Sequence, residues 1–286
     1  MMSVVLAAVI MGGLGLLLAT VLAVAYRFLR VAEDPRIEDV EGMLPGTNCG
    51  ACGQPGCRAF AEQVVNGVAQ PSSCTVSSAQ GVEAIADYLG VDAGARVLRV
   101  ARLHCAGGAA HAGRVASYQG LATCQAAALV GGGGKACGHG CLGLGDCDRV
   151  CTFGAITMGD DGLPVVDIEL CTACGACVDA CPRALFEILP LDLPLLVQCS
   201  LPLAGDAARD LCRVACDGCG RCAADAEPGV IEMRNELPVV DPASGQRATL
   251  EATFRCPTGA IRWVTGAQFA LEEPGVSSRR PHARTR

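Results

Sequence analysis

The chain has 286 residues, 20 of them cysteine and 36 glycine, with aromatics at 3% and a formal net charge of −7. The acidity excludes a nucleic-acid binder, which needs a basic face against phosphates, and otherwise serves ordinary solubility. So few large side chains exclude one large core, and cysteines grouped as C-x2-C and C-x3-C make poor disulfide partners but good shared ligands of a metal centre, whose bonds add folding free energy.

Residues 4–25 carry no charge. At about 1.5 Å per residue they span roughly 33 Å as a helix, enough to cross a bilayer. A cleaved signal peptide is the alternative. It is disfavoured by the missing basic flank, the length of the apolar run and the lack of a small-residue cleavage site. Arg27, Arg30 and Arg36 follow the span and no Lys or Arg precedes it. The positive-inside bias therefore places residues 31–286 in the cytoplasm, where thiolates stay reduced. Gly12, Gly13, Gly15 and Ala19 form a small-residue stripe suited to a membrane partner. One span without an intramembrane charge forms no ion path alone.

The first cysteine group is Cys49-Gly-Ala-Cys52-Gly-Gln-Pro-Gly-Cys57, followed by Cys74. Glycines between the thiolates let the backbone wrap a bulky centre and aim N–H groups at its sulfides. Four cysteines can also hold zinc. The uneven spacing favours a [4Fe–4S] cluster, the first of those expected here. Residues 78–89 then predict an amphipathic helix, with Val82, Ile85, Ala86 and Leu89 on one face and Gly90 as its stop.

Cys171-Thr-Ala-Cys174-Gly-Ala-Cys177-Val-Asp-Ala-Cys181-Pro182 is the bacterial ferredoxin run C-x2-C-x2-C-x3-C-P. In two-cluster ferredoxins the fourth thiolate crosses to the other cluster. The partner motif is Cys137-x3-Cys141-x5-Cys147-x3-Cys151, stretched and with Thr152 where proline is usual. The expected second cluster takes Cys137, Cys141, Cys147 and Cys181. The third takes Cys171, Cys174, Cys177 and Cys151. A degenerate repeat follows, with Cys216, Cys219, Cys222 and Cys256 as the fourth ligand set. The companion set is gone: Ala226, Gln246, Thr249 and Ala252 stand at its positions. Ile156, Phe186, Ile231 and Ile261 are expected to cover cluster faces, and residues 167–170 and 237–240 to form short connecting strands or turns.

Cys105, Cys124, Cys199 and Cys212 remain. Residues 100–105 and 195–199 each read as a short strand ending in cysteine, with a second cysteine before the next motif, which suggests an internal repeat. Buried structural thiols and a fifth cluster are the two readings. The glycines at 131–134 before Lys135 fail as a phosphate loop, since Leu129 and Ala136 stand where Gly and Ser or Thr belong, and read as a flexible loop. His104, His111 and His139 read as polar loop residues. A patch of Arg96, Arg99 and Arg102 is a candidate docking surface. The tail 274–286, with Arg279, Arg280, Arg284 and Arg286, reads as disordered and suited to anionic lipid.

In this order, the apolar helix, Cys49-Gly-Ala-Cys52-Gly-x-Pro-Gly-Cys57, Cys105-Ala-Gly-Gly108, Lys135-Ala-Cys137-x3-Cys141-Leu-Gly-Leu-Gly-Asp-Cys147, Cys151-x-Phe153-Gly-Ala-Ile156 and the ferredoxin run closely resemble the B subunits of Rnf electron-transport complexes. The likeness covers roughly residues 1–265. It departs at Ala226, Gln246, Thr249 and Ala252, where the longer members carry cysteines. The resemblance implies a cluster subunit of an ion-translocating ferredoxin:NAD oxidoreductase, an electron relay not catalytic alone. Its partners would be soluble ferredoxin and the other subunits, and the complex would couple electron flow to Na+ or H+ movement.

The expected fold is α+β. It comprises a transmembrane helix (1–30), a small helical [4Fe–4S] module (31–90), a two-cluster ferredoxin-like module with βαβ-like pseudo-symmetry (91–190), a degenerate one-cluster module of the same kind (191–265) and a disordered basic tail (266–286). The expected location is the cell (inner) membrane. The competing functions are a membrane polyferredoxin serving another oxidoreductase or redox sensor, and a zinc-bound scaffold without redox chemistry.

Overall fold

The computed structural model describes residues 2–29, 34–95, 97–242 and 247–269. Arg30, Arg96, Gln246 and the tail 274–286 lie outside the described residues.

Helix α1 (Met2–Leu29) has a mean hydropathy of 2.2 over Val9–Phe28 and buries none of that stretch within the chain. It is long and apolar enough to cross a membrane. Its Thr20 hydroxyl donates to the Leu16 carbonyl at 2.7 Å, as a hydroxyl in an apolar setting must. Nothing lies within 4 Å of where a Cβ would stand on Gly12, Gly13 or Gly15, so this stripe meets no other part of the chain.

Three helices build the next unit: α2 (Pro35–Met43), α3 (Cys57–Val65) and α4 (Ala79–Leu89). Asp34 caps α2 by accepting from the Arg36 amide, with Pro35 in the first turn. Ser78 caps α4 by accepting from Gly81, and Gly90 ends it at φ 67°. The buried faces bring Ile37, Val40, Phe60, Val64 and Ile85 together around Cys74.

The remaining residues form two strand-built units. In the first, β1 (Arg99–Leu103) leads to α5 (Cys124–Leu129), α6 (Asp146–Arg149), the hairpin of β2 (Ile156–Met158) with β3 (Pro164–Val166), α7 (Ala176–Ala180) and β4 (Phe186–Pro190). β4 returns antiparallel to β1, from Arg99 opposite Pro190 to Leu103 opposite Phe186. In the second, β5 (Leu195–Val197) is followed by α8 (Gly205–Leu211), α9 (Arg221–Asp225), the hairpin of β6 (Ile231–Arg234) with β7 (Leu237–Val240) and β8 (Ile261–Trp263). β8 pairs antiparallel with β5. In both units an outer strand pair encloses an inner hairpin. Ile156, Phe186, Ile231 and Ile261 each open a strand and are buried. Of the two expected connectors, residues 237–240 are strand and 168–170 turn.

The two units are joined by specific bonds. His104 reaches the Val197 carbonyl with Nδ1 (2.7 Å) and the Glu187 carboxylate with Nε2 (2.9 Å). The Ala106 amide donates to Gln198 O at 2.9 Å. The chain after β8 returns to β1, where Gln268 accepts from the Leu103 amide and donates to its carbonyl.

Two expectations are corrected here. Arg102 is only 2% exposed, so it cannot belong to a docking patch. The returning segment covers it, and Nη1 donates to Gly266 O at 2.7 Å. The stretch 131–134 is a packed turn and not a loose loop. All four glycines have positive φ, Gly133 and Gly134 are buried, and a Cβ on Gly134 would collide with the Ala116 carbonyl oxygen. The turn delivers Lys135 to the interior.

Candidate metal centres

Cys49, Cys52, Cys57 and Cys74 line one cavity in the helical unit. Gly50 and Gly53 take φ of 73° and 80° there, which lets the loop wrap around the space. The Asn48 side chain accepts from the Cys57 amide at 2.7 Å and fixes the start of α3. This is the first expected set.

Cys151, Cys171, Cys174 and Cys177 line a second cavity, closed by Ile156 and Ile188. The set is the third expected one. The Ala155 amide donates to Cys151 Sγ at 3.3 Å, which aims a backbone N–H at the sulfur. Arg102 is the nearest buried cation. Burial pushes its pKa down, and the Cys171 thiol opposes that. Its Nη2 has no partner among the described residues.

Cys216, Cys219, Cys222 and Cys256 stand close enough to interact electrostatically across α9 and the turn before β8. They form the fourth expected set. Where the companion set is missing, Ala252 is buried and Ala226 packs on the same core as Val230 and Ile231.

The second expected set is not gathered as such. Cys141, Cys147 and Cys181 line a cavity together with Cys124, and Cys137 is not among its walls. Cys137 lines a different cavity with Cys105, Cys199 and Cys212. Backbone pairing explains the exchange. Arg114 bridges Lys135, and Ala112 bridges Cys212, so the strand leading to Cys137 lies beside the segment of Cys212. The chain then turns at residues 138–140, with Gly140 N donating to Cys137 O, and carries Cys141 away. Cys124 reaches the vacated place because Asp146 accepts from the Gln125 amide at 2.9 Å and pins the start of α5 beside Cys147. Cys124, which belongs to no cysteine motif of the sequence, lines this cavity with Cys141, Cys147 and Cys181.

Burial pushes the thiols of Cys141, Cys147, Cys177 and Cys216 up to about 12. Without metal they are neutral, so ligation must expel their protons. Among the described residues no three His, Cys, Asp or Glu side chains converge closely enough for a single metal ion. A cubane cluster spaces its thiolates more widely than one ion does, so the sets fit clusters better than zinc. Unpartnered buried donors stand at the same places: the Thr75 hydroxyl beside Cys74, the Thr172 hydroxyl beside Cys171, and Arg183 Nε in the segment lining the Cys181 cavity. Such donors suit sulfide acceptors.

These features define an iron–sulfur electron-transfer protein. Residues 44–76 match the family model described as "Putative Fe-S cluster", and residues 164–185 match the 4Fe-4S binding domain. The chain is 40% identical, over 92% of its length and 94% of the relative, to the B subunit of the proton-translocating ferredoxin:NAD(+) oxidoreductase complex of Clostridium ljungdahlii. It is 38% identical to the Na(+)-translocating counterpart of Acetobacterium woodii, over 88% of this chain and 75% of that one. The B subunit of the ion-translocating oxidoreductase complex of Methanosarcina acetivorans is 34% identical over 81% of this chain and 88% of its own length. The chain belongs to the family of B subunits of ion-translocating, Rnf-type oxidoreductase complexes.

Proposed function

We propose that this chain is the single-pass, cytoplasm-facing cluster subunit of an Rnf-type complex. It exchanges electrons with soluble ferredoxin and passes them to partner subunits that couple ferredoxin/NAD redox chemistry to Na+ or H+ translocation. The observation that carries this reading is the series of thiolate sets on a ferredoxin-like scaffold that comes after an apolar helix in the same chain. Arg27 and Arg36, beyond the apolar run, support a cytoplasmic placement of the cluster-bearing residues.

The ligand sets are Cys49/Cys52/Cys57/Cys74, Cys151/Cys171/Cys174/Cys177 and Cys216/Cys219/Cys222/Cys256. A further set is built on Cys141, Cys147 and Cys181. The pseudo-symmetry of the two strand-built units is part of the proposal, with boundaries near residues 90, 190 and 265. A [4Fe–4S] cluster supplies a one-electron couple when bound. The chain's own residues hold the thiolates, exclude water with Ile156, Phe186 and Ile188, and aim N–H groups at sulfur, which tunes the couple.

Gentle solubilisation of native membranes, with identification of the proteins that co-purify, tests the proposal. Multi-span proteins, a flavoprotein and an NADH-reactive subunit are expected. Recovery with one soluble reductase alone would move the function to a polyferredoxin serving another enzyme.

A further inference from the structure

Cys105, Cys137, Cys199 and Cys212 are drawn from four separate stretches of sequence, yet they line one cavity at the junction of the two strand-built units. The four line it as Cys49, Cys52, Cys57 and Cys74 line theirs in the helical unit. Three of the four cysteines are buried and Cys199 is half-buried. Gly107 makes the room: a Cβ there would stand 2.9 Å from Cys212 Sγ and 3.8 Å from Cys105 Sγ. Gln198 is 3% exposed, lines the same cavity and has an amide oxygen with no partner among the described residues. A purely structural role for four thiols does not call for a cavity between them, because a thiol core packs tightly like any small apolar group.

The site also touches its neighbours on both sides. The Cys141 amide donates to Cys105 Sγ at 3.3 Å. The Cys216 backbone bonds the Cys199 thiol. Lys135, which lines the cavity, donates to the carbonyls of Gly107 and Cys141.

We propose that Cys105, Cys137, Cys199 and Cys212 ligate a fifth [4Fe–4S] cluster, that Cys124 in turn completes the set of Cys141, Cys147 and Cys181, and that the fifth cluster links the two strand-built units. The proposal rests on the reading of the chain as a cluster subunit. It gives an order along the chain's interior. The Cys151/171/174/177 set adjoins the Cys124/141/147/181 set through α7, which carries Cys177 and is followed by Cys181. The Cys105/137/199/212 set comes next, and Cys216/219/222/256 last. One electron leaves each centre as it arrives at the next, so each transfer oxidises one cluster and reduces its neighbour, with no other reactant.

The experiment is iron and acid-labile sulfide analysis of the purified, anaerobically handled full chain, with ligand variants compared on one preparation. About 20 iron and 20 sulfide per chain are expected. Cys199→Ala with Cys212→Ala should lose about four of each. Adding Cys137→Ala to that pair should cost nothing more, because the same cluster is already gone. Adding Cys124→Ala instead should cost about four more. A wild-type count of about 16, or a further loss of about four on adding Cys137→Ala, would overturn the fifth site while leaving the cluster-subunit reading intact. Absence of acid-labile sulfide altogether would remove both. Gly107→Ala, which leaves every thiol in place, keeps the test open where ligand variants misfold. It should lose iron from this site alone, and an unchanged iron content would count against the site.

Discussion

The Cys141 amide bonds the sulfur of Cys105, at 3.3 Å, and the Cys216 backbone stands in the same relation to Cys199. In each strand-built unit a cysteine just past the first outer strand therefore receives the backbone of a cysteine that lines the adjoining set. The two units repeat this contact as they repeat the strand pair around a hairpin. The two contacts bring three groups of thiols side by side, those of Cys141, of Cys105 with Cys199, and of Cys216.

Lys135 places one positive charge between two of these sets, through its bonds to Gly107 O and Cys141 O. A cation beside a cluster favours the reduced, more negative state. Lys135→Met should lower the potentials of the adjoining centres by an amount on the order of 1 kcal/mol, or tens of millivolts for one electron. EPR-monitored redox titration checks this, with the Cys49/52/57/74 centre as the unchanged control.

Arg102 is a second buried cation, beside Cys171. With the thiolates ligated, their charge compensates it; without them it is a buried charge lacking a counter-ion. Arg102→Met should lower the potential of the Cys151/171/174/177 centre by a similar amount and leave the others unmoved. In the metal-free chain the same substitution should raise thermal stability, which calorimetry reads.

Cys181 closes the ferredoxin run in sequence, yet it lines the cavity of Cys124, Cys141 and Cys147 and not that of Cys171, Cys174 and Cys177. Cys181→Ala should therefore cost the former cluster and spare the latter. Loss of the latter signal alone would refute the crossing.

Asp146 is buried and accepts from the Gln125 amide as well as from Arg149. Burial pushes its pKa up, but the amides of Gln125 and Cys124 and the Arg149 guanidinium together hold it below the ordinary value. Asp146→Ala leaves that amide unpaired, at a cost of about 1–3 kcal/mol, and frees the start of α5. Lower thermal stability and selective iron loss from the Cys124/141/147/181 site are expected.

Local chemistry was readable in the sequence. The ends of α4 follow from Ser78 and Gly90, because a cap is set by the residues that form it. Motif spacing alone groups Cys49 with Cys52 and Cys57, Cys171 with Cys174 and Cys177, and Cys216 with Cys219 and Cys222, because close cysteines face one space. Cys137 lines the cavity of Cys105 and Cys124 that of Cys147 because long-range pairings, Arg114 with Lys135 and Ala112 with Cys212, decide which sulfurs converge. Spacing along the chain carries no trace of those pairings. Arg102 was misplaced for a related reason. Four consecutive residues of β1 are buried, since β4 and the returning residues 266–268 cover a strand that sequence alone would leave with one wet face.

The central claim is that this chain relays electrons through iron–sulfur clusters that ferredoxin can reach. The most direct measurement is anaerobic EPR of the purified full chain mixed with reduced ferredoxin. Reduced [4Fe–4S] signals should appear with iron and acid-labile sulfide in equal amounts. Clusters that stay oxidised in the presence of reduced ferredoxin, or zinc in place of iron and sulfide, would contradict the account.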